Sequence, residues 1–229
     1  MIKKQNVISQ LPKRETRLKI TATLLNSWQR IFDAKDDIHE GDNDEISLEA
    51  KLFFEMEKRK QDFLNVLNRV KTPPTEYMLK GIEFENLVYN GLDPVFSPIV
   101  AGGACQVSLY RDVFVDNLPI RIVGVLDSLK ASVIYDVKRV VTYKYPKYKT
   151  SHQHATYFFL VPQAPIFKYL VADNNVEHKE EEKRLKGYHV ETYRRENCED
   201  ILQVISQFIS WLKANNLFNI FVQKWSIMV

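Results

Sequence analysis

Cysteine is scarce in this chain. Cys105 and Cys198 stand far apart in 229 residues. They form no metal-ligand spacing and no disulfide framework, so reduced thiols and a cytoplasmic setting are the plain expectation. Long apolar runs are missing too, and no segment approaches the length of a transmembrane helix. Met1-Ile-Lys-Lys-Gln-Asn6 carries basic residues with no apolar stretch behind them, so a secretory signal is not expected. Neither sign of charge dominates: 32 Lys and Arg against 29 Asp and Glu give +3. That is too little to argue for nucleic acid, so any basic surface must be local. No Gly-x-x-x-x-Gly-Lys-Ser/Thr loop occurs, and Gly102-Gly103 leads to nothing like one. Nucleoside triphosphate hydrolysis, and a nucleotide cofactor with it, is therefore not expected. No internal repeat appears at solenoid or propeller periods.

What is present is a change of pattern near the middle. The first half reads as helices. Thr23–Ala34 carries Leu24, Leu25, Trp28, Ile31 and Phe32 on one side. An acidic stretch follows at Asp36–Glu45. Ser47 can cap a long helix to about Val70, and Thr72-Pro73-Pro74 ends it. Thr75 caps the next helix to about Leu92, and Asp93-Pro94 opens a short one. At Gln106 alternation begins. Strands are expected to Val115, over Ile120–Asp127 and over Ser132–Lys138, in an antiparallel meander. Then come a helix at Ser151–Leu160, a strand at Phe167–Ala172, a charged loop at Asp173–Lys186, an edge strand at Tyr188–Tyr193 and an amphipathic helix at Cys198–Ala214. The order predicts an α/β (α+β) fold: a central mixed β-sheet with an antiparallel meander, flanked by helices. Residues 1–74 are expected as a helical N-terminal part packed on a core at 75–229.

The chemistry concentrates on the meander. In Asp136-Val137-Lys138 the two polar side chains project to one face while Val137 turns to the core. Asp127 closes the preceding strand in Gly124-Val-Leu-Asp127. Two carboxylates can hold a hard divalent cation through oxygen, and a protonated lysine beside them can balance charge on an attacking or leaving oxygen. Each motif alone is weak: Asp-x-Lys is common on surface strands, Glu85 alone is an ordinary helix position, and Gln153 with Tyr157 is a packing pair.

Their order is more specific. Gly81-Ile-Glu-Phe84-Glu85 lies on a helix, then come Gly124-Val-Leu-Asp127, Asp136-Val-Lys138 and Gln153-His-Ala-Thr-Tyr157. This arrangement resembles the RecB-like, phage-type exonuclease branch of the PD-(D/E)XK nuclease superfamily, over about Thr75 to Tyr193. The resemblance implies a restriction-endonuclease-like core and a magnesium- or manganese-dependent nuclease of a bacterial or phage setting. It implies Glu85, Asp127, Asp136 and the Val137 carbonyl as metal ligands. Lys138 would orient or activate the attacking water, and Gln153 and Tyr157 would brace the site. Leu126 stands where the superfamily's proline would be, and Asp136 where the branch usually has glutamate. The iron–sulfur members need four cysteines, so no iron–sulfur cluster is expected.

After Lys138 the chain carries Arg139, Lys144, Lys147 and Lys149 with no acid among them, interleaved with Tyr143, Tyr145 and Tyr148. Such a loop can grip phosphates and stack on exposed bases of linear ends or single strands. It can equally be a solvated loop with its tyrosines tucked onto the core. His152 could approach phosphate, and His154 reads as packing. Glu180–Arg184 reads as a solvated run. Trp211 and Trp225 read as packing, although the tail after Lys224 could dock a partner. The expected function is a deoxyribonuclease, in exonuclease form, acting in recombination or repair. The rivals are a silent DNA-binding module of the same fold, a subunit that works beside a helicase or annealing protein, and a restriction-type endonuclease.

Overall fold

The computed structural model describes residues 15–37, 47–173 and 187–229. The acidic stretch from 38 onward, the Glu180–Arg184 run and the N-terminal hexapeptide lie outside the described residues. The helices form where caps and apolar spacing coincide. β1 (Thr16–Thr21) leads directly into α1 (Ala22–Gln29), because the Thr21 hydroxyl accepts from the Leu24 amide and starts the helix. Ser47 does the same for α2 (Leu48–Leu67), and Thr75 for α3 (Glu76–Tyr89). α1 is shorter than its apolar spacing suggests, and Phe32–Asp37 continues as a 3-10 turn. α3 stops at Tyr89, and Gly91 just beyond takes a left-handed φ of 78°.

After α4 (Ser97–Val100) come the long strands β2 (Ala104–Val115), β3 (Leu118–Lys130) and β4 (Val133–Val140). α5 (Gln153–Leu160) crosses over to β5 (Ile166–Asp173), which therefore runs parallel to β4. β6 (Gly187–Arg194) is antiparallel to β5. α6 (Ile201–Ala214), α7 (Phe218–Trp225) and β7 (Ser226–Met228) finish the chain. The sheet order is β6-β5-β4-β3-β1-β7, with β2 also paired to β3.

Three elements were not expected from sequence, and one of them is α7, which follows the helix expected to be the last. Residues 16–21, placed in an all-helical part, form a strand parallel to β3, and the C-terminal tail pairs antiparallel with that strand. The tail after Lys224 thus docks on the chain's own sheet.

Three cores hold the layers together. α1, α2, α6 and α7 close over Leu18, Ile20, Ile120 and Ile122. α5 covers Ile134, Phe167, Tyr169 and Val171 on one face of the central strands. α3 and α4 cover Tyr135, Val137, Leu170 and Ala172 on the other. β4 and β5 are apolar on both faces, as strands inside a three-layer fold must be.

One detail of register positions the site. The edge of β3 opposite β2 is divided between two partners. β1 pairs with Ile120–Val123 and β4 pairs with Ser128–Lys130. Gly124 to Asp127 lie in the interval where the two partners diverge.

Candidate active site

Asp136 and Lys138 occupy one face of β4, with Val137 between them in the opposite core. Asp136 is 1% exposed. The Gln153 side-chain amide donates to its Oδ1 at 2.5 Å, and the Lys138 ammonium stands 2.5 Å from its Oδ2. No well-directed hydrogen bond reaches that Oδ2 although it is sealed from water. Asp127 sits at the divergence of β1 and β4, and its Oδ2 accepts the Val137 amide at 3.2 Å. That bond links β3, which runs on three residues past Asp127, to the middle of β4.

α3 and α5 fix the rest. Phe84 and Val88 anchor α3 in the core around Val137, which places Glu85 beside them, half-buried. On α5 the Tyr157 hydroxyl donates to the Val125 carbonyl at 2.7 Å. Its ring lies against Gly124, where an added Cβ would stand 2.6 Å from Tyr157 Cε1 and 2.8 Å from Leu160 Cδ1. The glycine of Gly124-x-x-Asp127 is thus the price of close approach by the Gln153–Tyr157 helix. Gly81, by contrast, has open space where a Cβ would be.

The electrostatics bind these groups into one unit. Burial pushes Asp127 up to about 8, and the Asp136 and Glu85 charges add to it, against Lys138 and the Val137 amide. Burial also raises Glu85; Lys138 opposes this and Asp136 reinforces it. Burial alone would discharge Lys138, but Asp136 and Asp127 outweigh it and hold the ammonium well above the usual lysine range. Among the described residues, no three His, Cys, Asp or Glu side chains are grouped closely enough to hold a metal ion as they stand. Asp127 and Asp136 are nevertheless hard oxygen donors, desolvated and mutually repelling, and Asp136 Oδ2 is met by the Lys138 ammonium alone. That donor chemistry fits a magnesium-like cation.

Sequence reasoning passed over four residues here. Tyr89 lies one turn after Glu85, and its buried hydroxyl has no hydrogen-bond partner. Burial, with Asp127, Asp136 and Glu85 nearby, pushes its phenol far up. The i,i+4 spacing from Glu85 was the available signal. Gln106 falls between the register pairs Cys105↔Ser128 and Val107↔Leu126, so it stands across from Asp127, with a left-handed φ of 53°. Such a conformation is strained for a residue with a side chain, and strain of this kind gathers at functional sites. Asn26 ties α1 to the start of α5, accepting the His152 amide at 2.7 Å. Glu191, on β6, is the fourth.

Glu191 is 1% exposed and gathers the basic loop. It accepts from the Tyr143 hydroxyl (3.0 Å), the Lys147 amide (2.5 Å), the Tyr148 amide (3.1 Å) and the Tyr193 hydroxyl (3.2 Å). This alters the reading of the loop. Tyr143 stacks on His189 and Tyr148 on Tyr169, each pair at 4.3 Å, so both are tucked onto the core rather than offered to bases. Tyr145 is 75% exposed. Lys144, Lys147 and Lys149 are exposed, and Arg139 is half-buried with a guanidinium nitrogen 3.4 Å from the Lys80 carbonyl. His152 is not available to phosphate: it is buried, with Nδ1 2.5 Å from Glu199 Oε1 and its ring stacked on Trp28. His154 packs against Tyr193 at 4.1 Å.

No protein-family model matches the chain, and no curated protein sequence matches it. Solved structures do. The crystal structure of SSO0001 aligns with a TM-score of 0.50 and 12% identity, over 89% of this chain and 79% of that one. The shared property is the fold. LHK-Exo in complex with dAMP aligns with a TM-score of 0.44 and 13% identity, over 90% and 92% of the two chains. A candidate exonuclease from Eubacterium rectale aligns with a TM-score of 0.40 and 14% identity, over 98% and 88%. Among the described residues no helix is long and apolar enough to cross a membrane.

Proposed function

We propose that this chain is a metal-dependent deoxyribonuclease of the PD-(D/E)XK superfamily, RecB-like branch, acting as an exonuclease in recombination or repair of phage or prophage origin. One observation carries the reading. Asp136 is buried between an ammonium and an amide, beside a second carboxylate tethered to the same strand. Burying such charges is costly, and carboxylates desolvated in this way gather at functional sites.

In this reading Asp127 and Asp136 hold a magnesium or manganese ion, with Glu85 and the Val137 carbonyl completing its surroundings. The ion supplies charge stabilisation at the scissile phosphate and a more acidic water. Lys138 stays protonated and donates to the attacking oxygen or to a phosphate oxygen. Gln153 fixes the Asp136 carboxylate through its amide, and Tyr157 holds the β3 backbone from the far side. Arg139, Lys144, Lys147 and Lys149 bind phosphates of a linear end or single strand. A helicase or annealing protein is a fitting partner, since the chain carries no nucleotide loop.

The test is digestion of end-labelled linear, nicked and circular DNA with manganese. Cleavage from ends that stops on chelation is expected, and Lys138→Ala should slow it about 100-fold or more while DNA binding persists. A Lys138→Ala protein that cuts at the wild-type rate refutes the assignment. The absence of a ready three-carboxylate cage among the described residues favours a second reading, a non-cleaving DNA-binding module. Affinity without cleavage at any divalent metal would establish it.

A further inference from the structure

The loop that follows β4 has a second side, facing α1. There it walls a cleft of about 840 Å3. Five cations line this cleft: Arg30 at the end of α1, Arg59 of α2, and Lys144, Lys147 and Lys149 across from them. Arg30, Lys144 and Lys149 are exposed, and Lys147 gives its ammonium to the Thr142 carbonyl at 3.2 Å. The acid in the described lining is Asp33, and both its oxygens are engaged. Gln29 donates to Oδ1 at 2.9 Å and the Thr150 hydroxyl to Oδ2 at 3.1 Å. Arg59 lies beneath, buried, bound to Glu55 and to the Arg30 carbonyl at 2.9 Å, so the backbone under Arg30 is fixed.

Two further facts give the cleft a direction. Tyr148 lines it and also lies within electrostatic reach of Lys138 and Asp136, so the cleft abuts the candidate active site. A smaller hollow of about 460 Å3 on the α3 side, bordered by Tyr77, Lys80 and Arg139, shares Thr142 and Lys147 with it. A cationic track therefore passes on both sides of the loop. The volume lies within the roughly 300–1,000 Å3 that buries a ligand of a few rings. A short run of one strand fits that volume.

We propose that the cleft between α1 and the loop at 142–151 binds the phosphodiester backbone of a single nucleic-acid strand, with Arg30 as a phosphate contact opposite the loop lysines. The proposal rests on the nuclease reading for the direction of the strand, but its binding chemistry stands apart from cleavage.

The test is Arg30→Glu, a change at an exposed side chain. Binding of a long single-stranded oligodeoxynucleotide is measured with chelator present, over a range of salt, by fluorescence anisotropy. The variant should bind about fivefold or more weakly, and the slope of log affinity against log salt should flatten by about 0.7 or more, the value of one phosphate contact on a single strand. Manganese-dependent hydrolysis of a dinucleotide, too short to reach the cleft, should keep its wild-type kcat. Wild-type affinity and salt slope in the variant would overturn the cleft while leaving the nuclease reading intact. A wild-type protein that never cuts, yet loses affinity on Arg30→Glu, would keep the cleft and end the nuclease reading. A wild-type protein that binds no strand at all ends both.

Discussion

At the residue scale, the two histidines beside Gln153 show how one helix turn separates roles. His152 faces Glu199 and Trp28, while His154 is sealed under Tyr193. Burial drives His154 down to about 4; Glu199 opposes this and His152 adds to it. The unfolded chain takes up a proton there near pH 6.5, and the folded chain refuses it until about pH 4. Between those values the unfolded state binds more protons, so stability falls as pH falls through that window. The contribution reaches about 1.4 kcal/mol per pH unit at most. His154→Phe keeps a ring against Tyr193 and removes the titration. Thermal melts from pH 7 to 4 should show a flatter decline in the variant, and an unchanged slope would contradict the assignment. The packing role of His154 was legible in the sequence. The burial of His152 was not, because its partners Trp28 and Glu199 come from distant helices.

At the element scale, the segment after β4 is held by one carboxylate on another strand. Its basic and aromatic composition was readable, but its shape depends on Glu191, which no local pattern couples to it. Glu191→Gln keeps the size and loses acceptor capacity, leaving buried donors facing an amide NH2. The cost should be about 1–3 kcal/mol. Tryptic cleavage after Lys144, Lys147 or Lys149 should accelerate in the variant, and KM for DNA should rise more than kcat falls. Unaltered proteolysis would mean that the tether does not order the loop. The meander, α5 and α6 were all legible, because turn residues and apolar spacing agree there. β1 was missed because six residues, Thr16–Thr21, run straight into a helix with no turn to mark them.

At the scale of the whole molecule, the first and last described strands lock together. β7 pairs with β1, and the Trp225 indole donates to the Leu67 carbonyl at 2.8 Å, fastening α7 to α2. Trp225→Phe should lower stability by about 1–3 kcal/mol by leaving a buried carbonyl unpaired. Urea unfolding followed by tryptophan fluorescence and by circular dichroism should give coincident transitions, because the first core draws on β1, α1 and α2 as well as on α6 and α7. Separate transitions would show that residues 1–74 unfold on their own. The candidate site was readable as a set of residue types, whereas its assembly depends on sheet order that spacing does not encode.

The shared edge of β3 has an evolutionary corollary. Since β1 and β4 both draw on it, deleting one residue between Gly124 and Asp127 would invert the side chains beyond the cut relative to one neighbour. A one-residue insertion that a surface loop would absorb is thus costly in this interval. Drift in this lineage should spare its length even where it changes its letters.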